Sequence, residues 1–312
     1  MAVLVIGSFN LDHVWRGAAL PQAGETRAGH YACGPGGKGF NQAVAAARCG
    51  ADTHFLCALG NDDAAGIAVR LAATNGMAVH AQAAPVATGC AGIFVDAAGR
   101  NQIVVAAGAN ACLDAAHVRA HAHLFAAGQV LLAQCETPAE ATLAAFTLAR
   151  RHGARRLLNP APADAEVTAA LLDACDLLLP NESEFAALAA RHLGQAIAVE
   201  DVANLDAISL HALCRRLLPH GDVVVTLGSA GVFASPAQGT PRRLAAEVVR
   251  VLDTTGAGDA FCGALAAALA TPGALLAEAL VFANRYAALS TERAGAALAM
   301  PTREECNTRF GG

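Results

Sequence analysis

Asp253-Thr254-Thr255-Gly256-Ala257-Gly258-Asp259-Ala260-Phe261 is the stretch on which the reading of this chain turns. Two glycines precede an acidic residue, and an alanine-rich apolar run follows, which predicts a helix over 258–270. The start of a helix leaves backbone N–H groups without partners, and glycines let an anion come close to them. Asp259 beside such a seat would repel a phosphate unless it were there to take a proton. A carboxylate beside such an anion hole therefore suggests phosphoryl transfer onto a hydroxyl, with Asp259 as base. An ordinary helix start with an acidic first turn, favoured by the macrodipole, explains the same residues without chemistry.

Working outward, short β-branched runs alternate with long alanine- and leucine-rich ones. Strands are expected at 3–6, 54–58, 130–133, 156–158, 177–179 and 223–227. Helices are expected at 39–49, 64–74, 139–152, 165–174, 183–191, 209–218 and 258–270. This rhythm is that of an α/β protein, a mainly parallel sheet with helices on both faces. Two segments break it, at about 12–32 and 90–106, where hairpin-like stretches occur without an intervening helix. Paired, they would form a small sheet over the C-terminal edge of the large one, which is a lid.

The chain has 312 residues and a formal charge of -5, with a pI near 6.1, and is expected to form a single domain over 1–312. Mild acidity without a Lys/Arg cluster argues against nucleic acid as the main partner. Mean hydropathy is +0.41, but the excess is mostly alanine, and charges or Gly/Pro interrupt each apolar run before it could span a bilayer. The first residues lack a basic region and a cleavage pattern and read as a buried strand. Ten scattered cysteines, none in a C-x-x-C pair, fit reduced thiols and a cytoplasmic setting.

Cys33-Gly34-Pro35-Gly36-Gly37-Lys38-Gly39-Phe40-Asn41-Gln42 holds a formal G-x-G-x-x-G. A dinucleotide fingerprint should follow the first strand directly, and this one comes after a hairpin-like insertion. It is no Walker A loop, because Gly39 follows Lys38 where Ser or Thr is required. Left standing are a tight strand-to-helix turn and a glycine turn offering Lys38 and Asn41 to a polyhydroxy ligand. Asn10 and Asp12, two residues apart after the first strand, share a face in extended chain and could fork onto adjacent hydroxyls; an Asx turn accounts for them equally.

Pro180-Asn181-Glu182-Ser183-Glu184 reads as an N-cap with an acidic first turn. Its functional reading sets Asn181 and Glu184 facing Mg²⁺-bound water near phosphates. Thr226-Leu227-Gly228-Ser229-Ala230-Gly231 is either a hairpin turn or a surface permitting close approach of a base or phosphate. His117 and His121 could share a helix face, but His123 points elsewhere and nothing completes a zinc set. Trp15 is expected to serve packing, with a ligand or dimer role open.

In order and spacing these segments resemble the ribokinase (PfkB-type) family of sugar and nucleoside kinases. Residues 36–47 with Gly60-Asn61-Asp62-Asp63-Ala64-Ala65-Gly66 are similar to its N-terminal signature, and 253–261 to its D-T-x-G-A-G-D signature. Gly7-Ser8-Phe9-Asn10-Leu11-Asp12, Gly108-Ala109-Asn110, Asn159-Pro160-Ala161-Pro162-Ala163 and Pro180-Asn181-Glu182 extend the likeness along the chain.

The resemblance implies a three-layer α/β/α fold with a β lid, and transfer of the ATP γ-phosphoryl group, with Mg²⁺, to a sugar primary hydroxyl, O5 of D-ribose. It implies Asn10, Asp12, Gly37, Lys38, Asn41 and Glu136 for the sugar, Asp259 for the base, and Gly256, Ala257 and Gly258 for the anion hole. On the nucleotide and Mg²⁺ side it implies Asn181, Glu184, Thr226, Gly228, Ser229, Gly231, Gly258 and Asn284. The lid of such enzymes also clasps a homodimer. A monovalent-cation site, for K⁺, would be made by Asp253 and Thr255 and completed by a later loop. Here that loop, 293–301, lacks the polar Gln and Ser expected near its proline.

Phe40 replaces a small residue; facing the sugar it narrows the pocket, facing the core it changes nothing. Two other readings are carried forward: a kinase for a nucleoside or another sugar, and a sugar-binding sensor without catalysis.

Overall fold

The run Ala2–Ile6 is buried on both faces, as a central strand of a parallel sheet must be. It forms β1 of a computed structural model that describes residues 2–126 and 128–311. The other strands are β2 (Asn10–Arg16), β3 (His30–Gly36), β4 (Asp52–Leu59), β5 (Ala78–Ala83), β6 (Gly89–Val95) and β7 (Asn101–Ala106). They continue as β8 (Val130–Ala133), β9 (Arg155–Leu158), β10 (Leu177–Leu178), β11 (Asp222–Thr226), β12 (Val232–Ser235) and β13 (Arg242–Leu244).

Among the described residues the large sheet has nine strands in the order β13-β12-β11-β10-β9-β8-β1-β4-β5. It is parallel from β11 to β5, while β12 and β13 add an antiparallel edge. Two apolar clusters lie on its opposite faces, so helices cover both, as the alternating pattern predicts. β5, β12 and β13 were not expected. They are short or mixed in polarity, and their partners rather than their own periodicity make them strands.

The helix expected at 165–174 begins only at Ala169, where Thr168 caps it by accepting from the Leu171 N–H. The helix Leu276–Ser290 went unrecognised because its alanines blur any polar face.

A second sheet, in the order β3-β2-β6-β7, stands beside the first. Its strands start and stop a few residues away from the expected hairpins, with β2 running from Asn10 and β3 reaching Gly36. β2 begins four residues after β1 ends, so the chain steps straight from one sheet to the other. No helix among the described residues is long and apolar enough to cross a membrane.

Phe40 settles one alternative. It is fully buried, edge-on to Phe9 and Phe55, with ring centroids 5.0 and 5.8 Å away. It belongs to the core under the sheet, where its burial contributes about 1.5–3 kcal/mol.

Candidate active site

The site begins where β1 ends. A Cβ at Gly7 would strike the Gln134 carboxamide and lie 2.8 Å from the Cα of Gly39, so the helix Lys38–Arg48 can start hard against the strand. Glu136 closes this corner: its Oε2 accepts from the Ser8 hydroxyl at 2.5 Å and from the Lys38 N–H at 3.0 Å. Gly37 precedes that helix with φ 85°, and a Cβ there would sit 2.7 Å from the Asn10 nitrogen. Asp12 lies over Gly36, where any Cβ would collide with its carboxylate. Asn10 is buried, and its Oδ1 accepts from Asn110 at 2.8 Å. Asn110 in turn holds both the N–H and the C=O of Phe9, each at 3.0 Å.

Asp259 enters from the helix Ala257–Leu269, which crosses Lys38–Arg48 at Gly263. A Cβ on Gly263 would collide with the Gln42 carbonyl and come within 2.6 Å of the Ala45 Cβ. That close crossing sets both oxygens of Asp259 against side-chain amides. Asn41 donates to Oδ2 at 2.9 Å, and Gln42 donates to Oδ1 at 2.9 Å.

The helix start is a type II turn: Gly256, with φ 75° and ψ 5°, holds its third position, and the Ala257 N–H donates to the Thr254 carbonyl at 3.1 Å. The Ala257 amide is therefore used inside the turn. A Cβ on Gly258 would meet no heavy atom within 4 Å, so its backbone faces open space.

Four carboxylates and one ammonium share this volume. Burial, and then the charges of Glu136 and Asp259, push Asp12 up to about 6. Asp259 is raised by burial, against which Lys38 and the Gln42 and Asn41 donors act. Glu184 is raised by burial as well, with the Asn181 N–H and Lys38 opposing. Burial would lower Lys38, but Asp259, Glu136 and Glu184 outweigh it and hold the ammonium charged.

On the other flank Asn181 caps the helix Glu182–Leu193 in a reciprocal capping box with Glu184. Both Glu184 oxygens accept from Asn181, and Asn159 adds a weaker donor at 3.3 Å. Thr226 bridges to Asn181 at the end of β11. Gly228 and Ser229 lie in a tight turn into β12, and Glu182 approaches Gly228 closely enough to lie 3.5 Å from a Cβ there.

Gly231 and Asn284 have evident structural duties. A Cβ on Gly231 would collide with the Leu244 carbonyl, and Asn284 donates to the Ala245 carbonyl at 2.8 Å. Asp253 accepts from the Thr255 N–H at 2.9 Å, the Thr255 hydroxyl at 2.6 Å and the Gly295 N–H at 2.9 Å. It is thus surrounded by donors.

The structure thus gathers Asn10, Asp12, Lys38, Asn41, Glu136 and Asp259 under the small sheet, with Glu184 and Asn181 beside them. Sequence reasoning gave no role to Gln42, Asn159, Gln134, Ser8 or Gly263. Gln42 carried one usable signal, an amide directly before the apolar run Ala43-Val44-Ala45-Ala46-Ala47 of its helix.

His117 and His121 do pack together, with centroids 4.4 Å apart, but His54 and His80 join them from β4 and β5. No group of three potential ligands among the described residues is arranged to hold a metal ion.

A layered α/β structure with a small second sheet, and a buried carboxylate held by two side-chain amides at a glycine-flanked helix start, is an arrangement suited to a small-molecule kinase. The sequence matches the pfkB family of carbohydrate kinases over residues 2–303, and the chain belongs to that family. It is 37% identical to the ribokinase of Mus musculus over 97% of this chain and 93% of the mouse protein. The crystal structure of Thermotoga maritima ribokinase superposes with a TM-score of 0.88 at 31% identity, covering all of both chains. Arabidopsis thaliana ribokinase complexed with ribose and ATP superposes with a TM-score of 0.85 at 27% identity, again over both full chains.

Proposed function

We propose that this chain transfers the γ-phosphoryl group of ATP to O5 of D-ribose, giving D-ribose 5-phosphate and ADP. The observation that carries this reading is Asp259. It is buried at a helix start, gripped by the Asn41 and Gln42 amides, and shares its surroundings with Asp12 and Lys38, groups suited to binding hydroxyls. Likeness to ribokinases, one of them complexed with ribose and ATP, supports ribose as acceptor.

In this mechanism Asn10, Asp12, Gly37, Lys38, Asn41 and Glu136 hold the sugar, and Asp259 takes the proton of its attacking hydroxyl. The amides of Gly256 and Gly258 receive the phosphoryl oxygens, and Lys38 balances the added charge. Ala257 contributes through the turn it closes. Thr226, Gly228 and Ser229 flank the nucleotide, while Gly231 and Asn284 shape its surroundings through the contacts described above. Burying the reactants under the small sheet excludes water and strengthens each of these interactions.

Mg²⁺ supplies charge neutralisation between the phosphates when bound. Asn181 and Glu184 fit it through water: the Glu184 oxygens already accept amide donors but keep lone pairs for a water molecule. Both Asp253 carboxylate oxygens already accept from Thr255 or Gly295, so no step is assigned to K⁺ at Asp253 and Thr255.

The remainder of the proposal is a single cytoplasmic kinase domain over 1–312, acting as a homodimer through the lid. Tyr31, Ile103, Val104 and Val105 are each more than half exposed there, and β7 is a free apolar edge. Light scattering on a size-exclusion column should give twice the chain mass; a monomer would remove the dimer reading.

A nucleoside acceptor loses an argument, because Phe40 lies in the core, away from any base. A sensor without catalysis would have no use for the Asp259 grip.

The decisive experiment is ADP release from Mg²⁺-ATP across pentoses, hexoses and nucleosides. Preference for D-ribose is expected. A faster alternative acceptor would overturn the sugar while sparing the chemistry, and no turnover with any acceptor would overturn both.

A further inference from the structure

We infer that Gln42 is a positioning residue for the transfer: its side-chain amide sets the plane of the Asp259 carboxylate and ties it to the nucleotide flank. This rests on the reading of Asp259 as base and names a part that the reading lacks.

Every polar atom of the Gln42 side chain is committed, and the residue is fully buried. Its Nε2 divides its two hydrogens between Asp259 Oδ1 at 2.9 Å and Asn159 Oδ1 at 3.0 Å. Its Oε1 accepts from Gln134 at 2.5 Å. Reversing the amide would press an oxygen against a carboxylate and a carbonyl, so the chemistry of the neighbours fixes its orientation. Asn159 is fixed in the same way, since its Nδ2 donates to the Leu179 carbonyl at 2.8 Å and to Glu184 at 3.3 Å. A continuous chain of donors thus runs from Asp259 through Gln42 and Asn159 to Glu184.

The carboxylate has little freedom left. Asn41 holds Oδ2 and Gln42 holds Oδ1, from adjacent residues on one rigid helix. Without Gln42 the carboxylate could pivot about its bond to Asn41, and its lone pairs would lose their aim at the hydroxyl. Misplacement on the order of 1 Å costs about a hundredfold in such reactions.

Gln42 also acts on the basicity of Asp259, because a donor to a carboxylate favours its charged form. Lys38 works in the same direction; Asp12, Glu136 and Glu184, together with the buried Cys262 thiol, make up the other titratable surroundings.

The test is the pH dependence of kcat and KM for Gln42→Met and Gln42→Glu, with Asp259→Asn as control. Gln42→Met should lower kcat by about 10- to 100-fold with sugar KM changed far less, and should move the acid limb of kcat to higher pH. Gln42→Glu keeps the shape, so it guards against a simple failure to fold, and should move the limb further by placing a second carboxylate beside Asp259. A fall in kcat with an unmoved acid limb in both variants would overturn the proposal. So would wild-type kinetics in Gln42→Glu. Turnover retained in Asp259→Asn would overturn the base reading itself, an outcome separate from either.

Discussion

Asn41 and Asp259 stand 218 residues apart in the chain, yet the Asn41 amide donates to the Asp259 carboxylate at 2.9 Å. Each lies in the first turn of a helix, and the two helices cross at Gly263. The N-terminal and C-terminal signatures of the sequence are therefore two halves of one device that exists only after the chain has closed. A carboxylate so held is oriented before any substrate arrives, which is how a buried group stabilises a transition state without reorganising at that moment.

Asn41 has a second polar atom, Oδ1, that is buried and makes no hydrogen bond among the described residues. A sugar hydroxyl would give it a donor. Asn41→Leu should therefore weaken sugar binding as well as slow turnover. Loss of a hydrogen bond to a charged group costs about 1.5–3 kcal/mol, or roughly 10- to 150-fold in kcat/KM. Steady-state kinetics with varied sugar checks this; an unchanged kcat/KM would remove Asn41 from the site.

Gly263 is where packing and chemistry meet. A methyl group there must push the two helices apart, because it would collide with backbone rather than with a flexible side-chain tip. Gly263→Ala should destabilise the fold by about 1–3 kcal/mol, in line with overpacking elsewhere. Its residual turnover should fall further than stability alone explains, because Gln42 and Asn41 move with their helix. Urea unfolding beside kcat at a temperature where the variant is folded separates the two; equal stability would mean the crossing is looser than it looks.

Much of this was legible in the chain and some was not, for physical reasons. The parallel core strands are continuous apolar runs, and the helix starts at Asn181 and Asp259 carry explicit capping or glycine chemistry, so those elements could be read locally. Strands β12 and β13 and the helix Leu276–Ser290 could not, because burial against neighbours rather than their own pattern specifies them. Among site residues, those in polar clusters after strands stood out, such as Asn10, Asp12 and Asn181. Gln42 reaches Asn159 and Asp259 at 117 and 217 residues along the chain, and no local pattern encodes such a partner. Glu136 came only through family likeness, for its neighbours Ser8 and Lys38 meet it across the sheet edge.

Asp12 gives the pH dependence of substrate capture a definite direction. Burial and two neighbouring carboxylates lift it to about 6. Above that value it is ionised and accepts from sugar hydroxyls; below it a proton occupies one of the accepting positions. Sugar KM should therefore rise as pH falls through about 6, and Asp12→Asn should bind weakly at all pH values with that dependence flattened. If the variant keeps the wild-type profile, another group titrates there.

The histidine cluster around β4 and β5 should contribute to the acid sensitivity of the fold. His54, His80, His117, His121 and His123 pack ring to ring, and the His54 and His80 nitrogens lie 3.0 Å apart. Partial burial, followed by the charges its neighbours would carry, pulls His80 down from 6.5 to about 4. Between those values the unfolded chain binds a proton that the folded chain refuses, so stability falls as pH drops from 6.5 toward 4. Asp12 works in the opposite sense, since its raised value makes the folded state the better proton acceptor below about 6. A comparison with His80→Gln isolates the histidine. The urea midpoint of the wild-type protein should decline with acidification through that window more steeply than the variant's, because glutamine cannot take the proton. Parallel slopes for the two proteins would show that the cluster is already relieved by solvent.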